Sequence, residues 1–390
     1  MTKITTNRIP DGWEEKTLGD VLILHYGKSL SQTNRILGSV PVYGSSGITG
    51  WHNEPLTDSC GVIIGRKGTI GSVHKSDVPF FPIDTVYYLT EADTKCDFGF
   101  LYYFLTNFGL SEMNSDSAVP GLNRNNVYSR ETLLPPRSEQ KSIADVLSSL
   151  DDKIELLRKQ NETLEVIAQT IFKEWFVNFN FPDKNGKPYN DSGGKMIDSE
   201  LGEIPEGWRV GTVGDEFDIV MGQSPPGSSY NQLQDGEVFF QGRTDFGERF
   251  PKTRLYTTDP KRMAEPFDVL VSVRAPVGDI NVSAEKCCIG RGLGAVRGKY
   301  RSYTLYKMKH LQEALREFEA EGTVFGSIGK DDFNNIDVVV PVPEFVKSLD
   351  NTIAPIDEKI FNSHNQMQTL TELRDRLLPK LMSGQVRVKT

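Results

Sequence analysis

The residues best suited to chemistry stand on short polar turns. Gly65-Arg66-Lys67-Gly68 sets two cations on a tight turn after the apolar run Val62-Ile63-Ile64, and Arg274 follows Val269-Leu270-Val271-Ser272-Val273 in the same way. A guanidinium so placed can grip phosphate oxygens or a guanine edge. A solvated position or a structural salt bridge is equally open to Arg66 and Arg274, and a turn lysine such as Lys67 is commonly only hydrated. Tyr43-Gly44-Ser45-Ser46-Gly47 surrounds Ser45 and Ser46 with small residues that let backbone amides approach a phosphate or base edge. Met221-Gly222-Gln223-Ser224 and Gln241-Gly242-Arg243 present Gln223, Ser224, Gln241 and Arg243, where Gln can pair with adenine and Arg with guanine in a major groove. Asn123-Arg124-Asn125-Asn126 and Gly329-Lys330-Asp331-Asp332 place Arg124, Asn125 and Lys330 at related points before the last strand of each half. Sugar-phosphate contact and simple Asx-type turn bonds are both open to these residues.

Catalytic chemistry lacks its motifs. No glycine-rich phosphate loop ends in Gly-Lys-Ser/Thr, and no His-Glu-x-x-His occurs. Asn-Pro-Pro-Tyr, Asp-Pro-Pro-Tyr and an acidic pair with Glu-x-Lys are also missing. His25, His52, His74, His310 and His364 have no metal-ligand spacing, and Cys60, Cys96, Cys287 and Cys288 read as buried free thiols, so no metal and no catalytic residue are expected. At 37% hydrophobic and 25% charged, with 35 glycines and 21 prolines, the chain has the profile of a soluble, turn-rich protein. Forty-four basic against 53 acidic residues give a net charge of -9, which argues mildly against a protein that coats nucleic acid. A basic groove can still coexist with an acidic face elsewhere. No leader segment and no bilayer-length apolar run is seen, so a cytoplasmic location away from membranes is expected.

The turns recur because the chain repeats itself with a period of about 200 residues. Pro10-Asp11-Gly12-Trp13 returns as Pro205-Glu206-Gly207-Trp208, and Leu18-Gly19-Asp20 as Val213-Gly214-Asp215. The segment from Gly61 to Gly71 matches that from Asp268 to Gly278, Val119-Pro120-Gly121-Leu122 matches Val324-Phe325-Gly326-Ser327, and Leu134-Pro135 matches Val340-Pro341. Trp13 and Trp208 are expected to anchor cores. Short strands such as Val86-Tyr87-Tyr88-Leu89 and Asp337-Val338-Val339-Val340, with helices near Phe98 to Asn107 and Leu311 to Ala320, make each half a mixed α/β domain.

Each half then enters a long amphipathic helix. In the first, Ile143, Leu147, Leu150, Ile154, Leu157, Leu164, Ala168, Ile171 and Trp175 step by three and four, with Asn161 as the polar exception. The second carries Leu349, Ile353, Ile356, Ile360, Met367, Leu370, Leu377 and Leu381, interrupted by Ser363 and Arg374. This alternation favours two helices packed on each other, about 40 residues or roughly 60 Å long. Asn161 either fixes the register through one polar partner or reaches solvent through a water. Pro355 is expected in the first turn of the second helix, and Pro379 at a kink or in the last turn. Residues 182–194 form a turn-rich connector with nothing to bury.

The expected fold is α+β: two similar mixed α/β domains separated by two long helices in an antiparallel coiled coil, with pseudo-two-fold symmetry inside one chain. The boundaries are 1–137 and 201–343 for the domains, 138–176 and 344–384 for the helices, 177–200 for the connector and 385–390 for the tail. Because a duplex repeats roughly every 34 to 36 Å, a rod with one reader at each end suits a split target with an unread gap.

This pattern resembles the specificity subunits of type I restriction-modification systems. The resemblance rests on Leu201-Gly202 before Pro205-Glu206-Gly207-Trp208, on Arg274-Ala275-Pro276-Val277-Gly278, and on the helices beginning near Glu139-Gln140 and Glu344. The first domain departs from it, since Gly65-Arg66-Lys67-Gly68-Thr69-Ile70-Gly71 stands where Arg-x-Pro-x-Gly is expected. The resemblance implies that each domain is a target recognition domain that reads half of a bipartite double-stranded DNA target. It implies that the helices act as the ruler and bind two modification subunits, which restriction subunits then join. S-adenosylmethionine would belong to the modification subunits, and ATP with Mg2+ to the restriction subunits, leaving this chain without cofactor. The same scaffold would equally serve a methylation-only complex, and a non-DNA coiled-coil adaptor is the alternative of a different class.

Overall fold

A computed structural model of the chain describes residues 9–113, 121–320 and 326–388. The repeat partners Val119, Pro120, Val324 and Phe325 lie outside them. Contacts divide the chain into two units, Met1–Leu156 with Gln366–Thr390, and Leu157–Asn365.

The first unit opens with β1 (Glu14–Thr17), the one-turn α1 (Leu18–Val21), β2 (His25–Tyr26), β3 (Val40–Gly44) and β4 (Gly47–His52). It continues with β5 (Gly61–Gly65), β6 (Val73–Ser76), β7 (Phe81–Pro82), β8 (Val86–Thr90), α2 (Phe98–Asn107), α3 (Arg124–Tyr128) and β9 (Glu131–Leu134). The 40-residue α4 (Arg137–Phe176) follows directly after Pro135-Pro136.

The second unit contains the hairpin β10 (Met196–Ser199) and β11 (Gly202–Pro205), then β12 (Arg209–Thr212), α5 (Val213–Glu216), β13 (Asp218–Met221), β14 (Tyr230–Asn231) and β15 (Glu237–Phe240). Next come β16 (Leu255–Thr257), β17 (Met263–Ala264), β18 (Val269–Ser272), β19 (Ile280–Val282), β20 (Cys287–Ile289) and β21 (Leu293–Arg297). Helices α6 (Arg301–His310), α7 (Gln312–Ala320) and α8 (Lys330–Asn334) precede β22 (Asp337–Val340) and the 40-residue α9 (Pro343–Met382).

The sequence repeat is a structural repeat. The main antiparallel sheet runs β2-β8-β5-β6 in the first unit and β13-β21-β18-β19 in the second, the same order of equivalent strands. A second sheet in each contains one parallel pair, β3 with β7 and β15 with β20. The first and last strands of each domain pair antiparallel, Glu14 opposite Leu134 and Arg209 opposite Val340. The repeated Gly-Asp closes the one-turn helices identically. Asp20 accepts from the Thr17 N–H (2.8 Å), and Asp215 from that of Thr212 (3.2 Å).

Each unit holds one stretch of both long helices. In the first, Ile143, Ala144 and Leu147 of α4 and Leu377, Leu378 and Leu381 of α9 join a core with Leu18, Val62, Leu89 and Leu101. In the second, Ala168, Phe172 and Phe176 of α4 and Leu349, Ile353 and Ile360 of α9 join Trp208, Val271, Val296 and Tyr306. Within each unit the two stretches run antiparallel. Asp151 meets Arg374 while the earlier Glu139 meets the later Arg387. Asn161 meets Ile360, while Trp208 lies against both the later Phe176 and the earlier Phe345. Of the seam residues, Leu147, Leu157, Ile353 and Ile360 are buried, and Leu150, Ile154, Asn161, Leu164, Ile356, Met367, Leu370 and Leu377 are half-buried.

Three expectations are corrected. Pro355 lies deep inside α9, not in its first turn, which begins at Pro343. Pro355 and Asn351 are both exposed, so the carbonyl that loses its helical partner lies on the solvent side. The connector is anchored rather than bare, since Tyr189 stacks on the buried Phe181 at 4.6 Å. Cys60 is half-exposed; only Cys96, Cys287 and Cys288 are buried. Helix α6 was not anticipated because Ser302 through Met308 are all buried, which leaves no polar face to mark a helical period.

Candidate nucleic-acid interface

In the first domain the polar turns gather at one end of the main sheet. Tyr26 at the end of β2 pairs with Tyr87, and Gly65 at the end of β5 pairs with Val86, so the turns after β2 and β5 leave the same edge. The Arg66 and Lys67 amides both donate to the Thr85 carbonyl, and the Arg66 carbonyl accepts from the Leu122 N–H (2.9 Å), which brings α3 alongside. Ser45 closes the group. Its carbonyl accepts from the Ser72 hydroxyl, its own hydroxyl accepts from the Thr69 amide (3.4 Å), and Ser46 is exposed beside it.

Two of the candidate cations converge on one aromatic ring. The guanidinium of Arg66 lies 5.3 Å from the Tyr26 ring centre and that of Arg124 lies 4.9 Å from it. Tyr26 itself is 49% exposed. Each arginine is held from behind, Arg66 by the Asp84 carbonyl (2.7 Å) and Arg124 by the Leu24 carbonyl (3.3 Å). Their Nε atoms are buried without a partner. A guanidinium carries five N–H donors, so both keep donors for a ligand while stacking limits their motion. Burial, then the neighbouring Tyr26, pushes the Tyr87 phenol up to about 12. It therefore stays protonated and donates to the Leu122 carbonyl (2.9 Å). Lys67 is exposed with no side-chain partner among the described residues. Asn125 is exposed, and its amide donates to the Asn123 side chain (2.9 Å), the Asx-type turn bond.

The second domain builds the equivalent edge without the aromatic ring. Met221 pairs with Gly294 and Ser272 with Leu293, which aligns the ends of β13 and β18. The Gln223 amide donates to the Ile289 carbonyl (3.0 Å), and the Ser224 hydroxyl accepts from the Arg291 amide (3.2 Å). The Gln241 amide donates to buried Asp245 (2.7 Å), leaving its side chain exposed. Arg243 pairs with Asp279, tying its loop to the one that carries Arg274. Arg274 bridges Ser327 through the backbone, as Arg66 meets Leu122, and is exposed. Lys330 begins α8 and is also exposed.

Two residues of these edges escaped sequence reasoning, Tyr26 and Arg291. A signal for Tyr26 existed: Tyr26-Gly27-Lys28-Ser29 aligns with Met221-Gly222-Gln223-Ser224. A Cβ on Gly27 would fall 2.0 Å from the Ile83 carbonyl oxygen, and one on Gly222 would fall 2.2 Å from that of Gly290, so both positions exclude any side chain for the same reason. Among the described residues no group of three or more His, Cys, Asp or Glu could hold a metal, and no helix is long and apolar enough to cross a membrane.

Comparison with known proteins agrees with this architecture. A family model described as type I restriction modification DNA specificity domain matches residues 10–166. The chain is 33% identical over 302 residues to the type I restriction enzyme MjaX specificity subunit of Methanocaldococcus jannaschii, covering 75% of this chain and 68% of that one. It is 28% identical over 320 residues to the MjaIX specificity subunit of the same organism, covering 74% and 69%. The fold is shared with the S subunit of a type I restriction-modification system from M. genitalium, at a TM-score of 0.63 and 17% identity over 97% of this chain and 98% of that one. With its duplicated heads and paired helices, the chain belongs to the specificity subunits of type I restriction-modification systems, the non-catalytic, sequence-specific DNA-binding members of such complexes.

Proposed function

We propose that each head reads one half of a bipartite DNA target through the edge described above, and that the paired helices set the unread gap. The observation that carries this reading is the duplication: the same strand order delivers a cation-bearing turn to the same sheet edge twice. In the first head Arg66 and Arg124, arrayed on Tyr26, meet the duplex, with Ser45, Ser46, Lys67 and Asn125 around them. In the second head Gln223, Ser224, Gln241, Arg243, Arg274 and Lys330 do so. The heads correspond to residues 1–137 and 201–343. The helices dock two modification subunits, which use S-adenosylmethionine, and restriction subunits add ATP- and Mg2+-dependent cleavage, all in the cytoplasm where the DNA lies.

Methylome sequencing of a host carrying active partner subunits, with this chain present and deleted, tests the assignment. A split methylated motif that vanishes on deletion is expected; unchanged marks would refute it. Exchanging residues 201–343 for those of a relative should replace one half of the motif and keep the other. One head controlling both halves would overturn the division of labour.

A further inference from the structure

Two polar joints attach the heads to the long helices, one within each unit, and they use the same residue types. In the first, the Tyr103 hydroxyl on α2 donates to the Asp151 carboxylate on α4 (2.7 Å), whose other oxygen accepts from Arg374 on α9 (2.7 Å). In the second, the Tyr306 hydroxyl on α6 donates to Asp357 on α9 (2.9 Å), which also accepts from Arg249 (2.6 Å). Arg249 reaches Glu165 on α4 as well, and Lys309 joins the same carboxylate. Asp151 and Asp357 are repeat partners, in Asp151-Asp152-Lys153-Ile154 and Asp357-Glu358-Lys359-Ile360. The tyrosines stand on helices that follow the main sheet at the same point of each domain.

The second joint is the better shielded from water: the Arg249 side chain is 11% exposed and that of Asp357 16%, against 29% for Arg374 and 30% for Asp151 in the first. Burial pushes both phenols upward, so each tyrosine keeps its proton and remains a donor. Buried ionic groups of this kind add little net stability over apolar packing. What they add is direction, because a hydrogen bond weakens steeply when it is stretched or bent, whereas leucines packed across an interface tolerate small rotations. Tyr103 and Tyr306 each belong to an apolar core that also takes in residues of α4 and α9 and supplies adhesion; the joint selects one angular setting.

We infer that the Tyr103–Asp151 and Tyr306–Asp357 pairs are positioning joints, which fix the angle of each head on its helices and so sharpen discrimination between gap lengths. This rests on the reading that the helices set the gap. With about 10 to 10.5 base pairs per turn, a gap wrong by one base pair turns the second half-site by roughly 35°. A head free to swing through part of that angle would accept it.

The test uses the full chain assembled with its modification subunits and duplexes bearing the methylome-derived half-sites at the native gap and one base pair shorter or longer. Tyr103→Phe, Tyr306→Phe and the double variant keep the rings and leave each aspartate its arginine, so folding is retained. The native-to-altered-gap ratio of methylation rates is expected to fall about fivefold or more in the double variant, with the native-gap rate changing less. An unchanged ratio, with or without a lower melting temperature, overturns the proposal and reduces the joints to packing. A parallel chain with two helical turns added to both α4 and α9 should prefer a different gap. If it does not, the ruler reading fails and takes the proposal with it; if it does while the tyrosine variants keep the ratio, only the joints fail.

Discussion

Removing the Arg66 guanidinium isolates what the first head contributes. The Arg66 side chain makes one hydrogen bond among the described residues, to the Asp84 carbonyl, and stacks near Tyr26 and Tyr87 at 5.3 and 5.9 Å. Losing these costs the fold about 2–4 kcal/mol, from a hydrogen bond to a charged group and a partly exposed cation–π contact. The loss in DNA affinity is separate. One positioned arginine contributes about 1–3 kcal/mol to binding, so Arg66→Ala should weaken binding of cognate duplex by roughly 5- to 150-fold. Binding is measured by fluorescence anisotropy over a salt series, well below the melting temperature, with each half-site scrambled in turn. Loss of a phosphate contact lowers the slope of log affinity against log salt by about 1, whereas loss of a base contact relaxes preference at one position and leaves the slope. Either result must be confined to the half-site of the first head. Arg124→Ala should act on that same half-site, because both cations share Tyr26. A folded Arg66→Ala/Arg124→Ala variant with wild-type affinity, slope and preference at both half-sites would show that this edge faces away from DNA.

Three further outcomes follow from the packing. Asn161 donates to the Ile360 carbonyl at 3.3 Å while its Oδ1 is buried without a partner. Asn161→Leu should therefore raise stability by about 1 kcal/mol in urea unfolding, and a drop would mean the amide is better satisfied than this geometry implies. Ile353 is 0% exposed and Leu373 42%. Ile353→Ala should cost about 2–5 kcal/mol and Leu373→Ala about 0.5 or less, so equal losses would contradict the assigned facing of α9. Burial opposes ionisation of Glu165, but Arg249 and Lys309 outweigh it and hold the carboxyl below its ordinary 4.5. The folded state thus binds this proton less readily than the unfolded chain, and its stabilisation is complete above the ordinary value and lost as pH falls through the lowered one. Urea midpoints between pH 7 and pH 3 should fall more steeply for the wild type than for Glu165→Gln; parallel curves would refute the pairing.

Much of this molecule is legible from residue order because its signals are local. A three-four apolar spacing marks α4 and α9 as long helices, since a helical period shows itself over a few positions. The repeat is legible for a related reason: the same turns need the same glycines and the same capping aspartates wherever the backbone path recurs. Tertiary structure alone decided which distant side chains meet. Nothing in the order of residues says that Arg66 and Arg124 share Tyr26, or that Arg249 lies between Glu165 and Asp357. Those partners are scores of residues apart and are chosen by sheet order and helix facing. A charge in a sequence carries no mark of whether its counter-charge will be water, a carboxylate of its own chain or a phosphate, because that depends on the space the folded chain leaves around it.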